Sequence, residues 1–166
     1  MPIDTENVSI LGLAESILEK TKEITKYLQA NDLAAPTFSL KSNSPPSRAD
    51  YRELQGSLRT ALEDLQRLVD GPTLFCRHLL MRGYEIAAFQ IALEFDFFTL
   101  VPAEGEISLG ELASKAGLDE DRTSRVIRLL ITHRFFQESR TAFISHNSFS
   151  FALQQDEDIR SMAHYS

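Results

Sequence analysis

The stretch "ISLGELASKAGLDEDRTSRVIRLLITHRFF", Ile107 to Phe136, decides how the chain is read. Ser108 stands three residues before Glu111, the spacing at which a serine hydroxyl caps the first turn of a helix and a glutamate answers back. This predicts a short helix over 109–116. Gly117 sits where a left-handed C-cap belongs. Asp119 then caps a second helix, about 120–134. Two helices joined so tightly form a helix-turn-helix, a module that many repressors place in the DNA major groove. "FFQESRTAFISH" follows as two short strands about a turn, a small wing.

Whether such a module reads DNA turns on charge. A helical wheel with Val126 toward the core places Leu129, Leu130 and His133 on the core side. Asp121, Ser124, Arg125, Arg128 and Thr132 then face outward, and Ile127 and Ile131 form an apolar flank. Arg125 and Arg128 are placed to touch phosphates, but Glu120 and Asp121 occupy the end that would enter the groove. Arg140 is alone in the wing. The formal net charge is −7 and the sequence pI about 5.1, a balance that phosphate backbones repel. The reading is therefore of a helix-turn-helix packed for stability and assembly, with no nucleic-acid partner.

Upstream, Ile10, Leu13, Ala14, Ile17, Ile24 and Leu28 recur at helical spacing and predict an amphipathic helix over 8–30. Asn31 and Pro36 break it. Residues 36–48, "PTFSLKSNSPPSR", read as a tether, disordered in part, because Pro45 and Pro46 forbid a helix there. A second amphipathic helix over 49–70 carries Leu54, Leu58, Ala61, Leu62, Leu65 and Leu68 on one stripe. Gly71 and Pro72 end it and start the next. That next helix, 72–98, is apolar nearly all round from Tyr84 to Phe98, so it is buried on more than one face. The second burying surface is read as another subunit. Tyr84, Ala88, Ile91 and Phe95, with Ile127 and Ile131, are the candidate dimer interface. Downstream, Ser148 is placed to cap a last helical turn, "FSFALQQ". The expected division is a helical arm with its tether, 1–71, and a winged-helix domain, 72–166. The fold class is mainly α with a short β-hairpin wing.

Chemistry is harder to find. The chain has 166 residues and one cysteine, Cys76, so it holds neither an internal disulfide nor a multi-cysteine zinc site. This fits a reducing compartment, and the cytoplasm is the expected location. "MPIDTENVSI" has no apolar run and does not read as a signal peptide. No segment approaches 18 consecutive apolar residues, so no membrane partner is expected. His78, His133, His146 and His164 share no metal-ligand spacing with a carboxylate; His133 reads as a packing or capping residue. Cys76 has Arg77 and His78 beside it, but helical neighbours do not face one another. The seven glycines form neither G-x-G-x-x-G nor a P-loop, and no strand–glycine–helix unit exists to hold a nucleotide-like cofactor. Catalytic, cofactor-binding and metal residues are therefore assigned to none. Eleven phenylalanines, most of them from Phe89 onward, make a core with some rings to spare for an apolar small-molecule pocket.

"AAFQIALEFDFFTLVPAEGEISLGELASKAGLDEDRTSRVIRLLITHRFFQES" and "TAFISHNSFSFAL" resemble the N-terminal dimerisation domain of the S-adenosylmethionine-dependent O-methyltransferases of fungal secondary metabolism, which are similar to the plant caffeate-type enzymes. The resemblance rests on Ala88, Ile91, Ala92, Ile107, Ser108, Leu109, Glu111, Leu112, Ala113, Lys115, Gly117, Arg125, Arg128, Leu129, Leu130, Phe136, His146 and Ser150. The two upstream helices, the proline-rich tether and the Gly71–Pro72 step look like the fungal branch as well. The resemblance implies an intertwined winged-helix dimer that does not bind DNA and closes one wall of a partner's substrate pocket. It gives Phe149, Met162, His164 and Tyr165 a place in that wall. In the family, S-adenosylmethionine and the histidine base belong to a further, Rossmann-like domain, and this chain stops before it. The expected function is thus a truncated methyltransferase-like protein, paired with itself or a full-length relative and unable to transfer methyl groups alone. A different class of function, a non-methylating binding or cyclisation aid with a Phe-rich pocket at the dimer interface, is the alternative, and a winged-helix DNA-binding protein is the second, which the charge disfavours.

Overall fold

A computed structural model describes residues 8–156. The pocket-wall candidates Met162, His164 and Tyr165 lie outside the described residues. Helix α1 is Ile10–Ala30, capped by Ser9, whose hydroxyl accepts from the Gly12 amide. Helix α2 runs Ala49–Glu94 with a break at Gly71, where φ is 64°. A side chain there would be strained, and Pro72 restarts the helix at a position whose N–H has no intrahelical role. Helix α3, Phe97–Leu100, follows a left-handed Asp96. Then come β1 (Ile107–Ser108), α4 (Leu109–Ala116), α5 (Glu120–Thr132), β2 (Gln137–Arg140), β3 (Phe143–Ser145) and α6 (Ser148–Gln155).

The chain divides into two compact units. One holds the residues up to Pro36 together with Asn43–Leu80; the other holds Thr37–Ser42 together with the chain from Met81 onward. The division falls inside the second half of α2, not at Gly71, and the tether is split between the units. In the first unit, the Tyr27 hydroxyl donates to Asp50 at 2.9 Å and Arg48 donates to Asn31 at 2.7 Å. The Asp50 carboxyl is held below its ordinary range by the Tyr27 hydroxyl and then by the Tyr51 amide. Leu28, Tyr51 and Ala61 are buried, while Leu11, Leu18, Leu62, Leu68 and Val69 stay exposed. Two helices alone cannot cover both of their apolar stripes.

The second unit has a continuous core of Ala92, Leu93, Phe97, Phe98, Val101, Leu112, Leu130, Phe136, Ile144 and Leu153 around Ile127. The helix-turn-helix is as the sequence predicts. Ser108 Oγ accepts from the Glu111 amide, Gly117 is left-handed at φ 69°, and Asp119 accepts from the Arg122 amide. The sheet has three strands, not two: β1 pairs antiparallel with β3, which pairs with β2, in the order β1-β3-β2. A two-residue strand carries too little alternation to be seen in sequence. The Glu106 carboxylate pins the hairpin from outside. It accepts from Ser139 and, at 2.6 Å, from Arg140, and both partners hold its pKa below the ordinary range, Ser139 more than Arg140. Arg140 also lies over the Phe143 ring.

The wheel for α5 is rotated from the predicted one. Its core stripe is Thr123, Ile127 and Leu130, spaced i, i+4, i+7, and Val126 is only half-buried. Thr123 is fully buried because its hydroxyl donates to the Asp119 carbonyl at 3.0 Å, which satisfies the polar atom. His133 lies at the exposed C-terminal cap of α5, away from the core. Ser148 does not cap α6. Asn147 does, and the Ser148 hydroxyl instead donates to the Thr37 carbonyl at 2.9 Å.

Candidate functional site

The corner between β3 and α6 holds the most concentrated buried polar group set. The His146 side chain is 3% exposed. Its Nε2 lies 3.1 Å from the Val101 carbonyl and its Nδ1 lies 2.9 Å from Ser150 Oγ. A carbonyl only accepts, so Nε2 carries the proton and Nδ1 accepts from the serine. Asn147 closes the corner: its amide donates to the Arg134 and Phe136 carbonyls at 2.7 and 3.3 Å, and its Oδ1 accepts from the Phe149 and Ser150 amides. Both ring nitrogens bond within the chain, so this histidine pins the loop to the helix.

Burial pushes the His146 pKa below its ordinary value, outweighing the backbone partners that raise it. The unfolded chain therefore takes up this proton first as pH falls below about 6.5. Stability is full above that pH and is lost as pH drops toward the lowered folded value. His146→Gln is expected to flatten the dependence between pH 7 and 5, read from urea midpoints; an unchanged slope would remove the histidine as its source.

The candidate interface residues do not behave alike. Tyr84 on α2 is 67% exposed, Ile91 on α2 is exposed, and so is Phe95 just past its end, where its amide donates to the Ile91 carbonyl, so three of them form an apolar stripe. Ala88 and Ile127 are buried within the chain itself, at 5% and 1% exposure, and offer nothing to a partner. Ile131 is half-buried over the core. Phe149 is half-exposed and stacks on Phe38, with centroids 5.5 Å apart and Arg134 over the Phe38 ring. The residues Thr37–Ser42, read from the sequence as tether, thus clasp the start of α6.

A recess of about 350 Å³ opens between α2 and the end of α5. Phe89, Phe135, Ile86 and Leu130 line it, and Glu85 and His133 stand at one corner with 3.5 Å between Oε1 and Nε2. Sequence reasoning missed this pair because the rotated wheel had turned His133 inward. His78, by contrast, lies 3.3 Å from Asp70. Among the described residues, no three histidine, cysteine or acidic side chains converge as metal ligands.

On the outer face of the helix-turn-helix, Arg122 pairs with Asp119 at 3.0 Å, Arg125 with Asp121 at 2.7 Å and Lys115 with Glu111 at 2.9 Å. With Arg140 held by Glu106, much of the local positive charge is answered within the chain. No described helix is long and apolar enough to cross a membrane.

No family model matches the chain. It is 43% identical over 157 residues to the O-methyltransferase sol2 of Alternaria solani, covering 95% of the chain and 37% of that protein. It is 32% identical over 161 residues to the O-methyltransferase pgmB of Aspergillus terreus, covering 93% and 36%. Over 149 residues it is 30% identical to the chlorophenol O-methyltransferase of Trichoderma longibrachiatum, covering 89% and 32%. The chain thus spans about a third of the length of the curated relatives it matches. Among solved structures, the crystal structure of OxaC superposes with a TM-score of 0.70 at 14% identity, over 94% of the chain and 35% of OxaC. OxaC in complex with SAH and oxaline gives 0.58 at 16% identity, over 84% and 32%.

Proposed function

We propose, from the chain's homology to the N-terminal part of fungal O-methyltransferases, that it serves as their winged-helix assembly and pocket-wall module and does not transfer methyl groups by itself. Its partner is a second copy or a full-length methyltransferase relative. The stripe Tyr84, Ile91 and Phe95 carries the reading. Three large apolar side chains at helical spacing along α2 and just past its end, exposed beside a complete core, are what an association surface requires. Phe149 joins the wall of the pocket that such a pairing completes.

The methyl donor is not held by these residues. Such a cofactor needs a strand running into a glycine-rich turn and a helix. Among the described residues, the left-handed glycines are Gly71 at a helix break, Gly105 in a loop and Gly117 at a helix end. None links a strand to a helix, so none can form that turn.

Light scattering is expected to give twice the chain mass. Ile91→Glu is expected to weaken association about 30-fold, equivalent to roughly 2 kcal/mol, with unchanged circular dichroism. A monomer at every concentration overturns pairing with a second copy, and the absence of a complex when a full-length relative is mixed in overturns the assembly reading as a whole. Turnover of S-adenosylmethionine by the purified chain overturns the non-catalytic one.

A further inference from the structure

A slot of about 60 Å³ lies between α5 and the turn of the wing, and it shares no residue with the stripe on α2 or with the recess beside it. Its lining is apolar at depth: Leu109 and Ile144 are buried, and half-buried Ile131 joins them. The wing side is held in place. Ala142 is left-handed at φ 63°, its amide donates to the Glu138 carboxylate at 2.6 Å, and its carbonyl accepts from the Leu109 amide at 2.8 Å. The slot is therefore formed before anything enters it, and docking there orders no loop. Its volume is that of about two waters at roughly 30 Å³ each. Water over such a floor finds few partners, whereas the branched tip of one aliphatic side chain fills it and buries its own apolar surface.

Charge supplies the second half of the match. Along α5, Arg122 is paired with Asp119 and Arg125 with Asp121. Arg128 lines the slot, is exposed, and meets no carboxylate among the described residues. Glu138, on the wing side, already accepts from Ala142, so an incoming carboxylate belongs on the Arg128 side. A nucleic-acid phosphate would meet that one cation with Glu138 close by and with Glu120 and Asp121 at the head of α5, and it would leave the apolar floor empty. We infer that the slot docks a helical segment of another protein, which seats one aliphatic side chain on the floor and sets a carboxylate, one turn away, against Arg128. Side chains four positions apart on a helix stand on one face, so a single segment presents both groups. The inference does not rest on the assembly proposed above.

The probe is a lactam-stapled, alanine-based helix of about twelve residues, with one leucine and, four positions on, one glutamate. Amide resonances of the ¹⁵N-labelled full chain report its binding. Saturable shifts at Ser124, Ile131 and Ala142 are expected. Replacing the probe's leucine by alanine, or its glutamate by glutamine, is expected to weaken binding about tenfold, equivalent to roughly 1.4 kcal/mol. Arg128→Glu, at an exposed helical position, is expected to lose about the same factor with unchanged circular dichroism. It should regain that factor for a probe carrying lysine in place of glutamate, a reversal that a structural role for Arg128 does not produce. Ser124→Leu, which fills the slot from α5, abolishes binding of either probe. The site is overturned by absent or non-saturable shifts at these amides, by indifference to the probe's leucine, or by a lysine probe that gains nothing on the Arg128→Glu chain. A short DNA duplex that shifts the same amides more tightly would assign the face to nucleic acid instead. Loss of self-association in Arg128→Glu would give the slot to a second copy, and either result overturns the proposal.

Discussion

Phe98→Ala is expected to lower the free energy of unfolding by about 3–5 kcal/mol, the range for deleting a fully buried aromatic ring. Phe98 is 1% exposed and central among the rings of the second unit. It stacks on Phe136 at 5.1 Å, tilts against Phe89 at 5.5 Å and meets Phe135 edge-on at 6.4 Å. Alanine removes those contacts and leaves a void among partners already held by helices and strands, so collapse is limited. For a chain of this size the transition should fall by roughly 10 °C. Phe149→Ala is the control. That ring is half-exposed and touches mainly Phe38, so about 1 kcal/mol or less is expected. Urea denaturation measures both, and equal losses would contradict a core centred on Phe98.

Asn147→Ala is the second large effect, about 3 kcal/mol. Losing the cap of α6 costs about 1 kcal/mol. The remainder comes from two carbonyls, those of Arg134 and Phe136, which lose a side-chain donor. Asn147→Ser should recover about the capping share and no more, because a hydroxyl replaces Oδ1 but does not reach both carbonyls. Full recovery by serine would assign the whole effect to the helix end. No loss in the alanine variant would deny the corner any part in stability.

Much of the second unit was legible because its signals are local. Ser108, Gly117 and Asp119 act within one turn of themselves, and each takes the role its spacing implies. The Gly71–Pro72 step is the same kind of signal. What failed needed information from elsewhere in the chain. The face of α5 turned on Thr123, a polar residue that joins the core only because Asp119 offers it a carbonyl. Hydrophobicity alone therefore centred the wheel on Val126 and set Ile127 on the flank. That one rotation also hid the meeting of His133 with Glu85. Strand β1 was missed for being two residues long, and the cap of α6 was placed one residue late because Asn147 and Ser148 are both good caps by type.

The clasp of Thr37–Ser42 on α6 gives consecutive peptide groups separate fates. The Ser148 amide donates to the Phe38 carbonyl, whereas the Phe149 and Ser150 amides donate to Asn147 Oδ1. Solvent exchange at Ser148 thus follows the coming and going of a segment about 110 positions earlier in the chain. Exchange one residue later follows only the fraying of a helix end. Two cooperative units of opening meet across a single peptide bond, and neither requires the aromatic core to come apart.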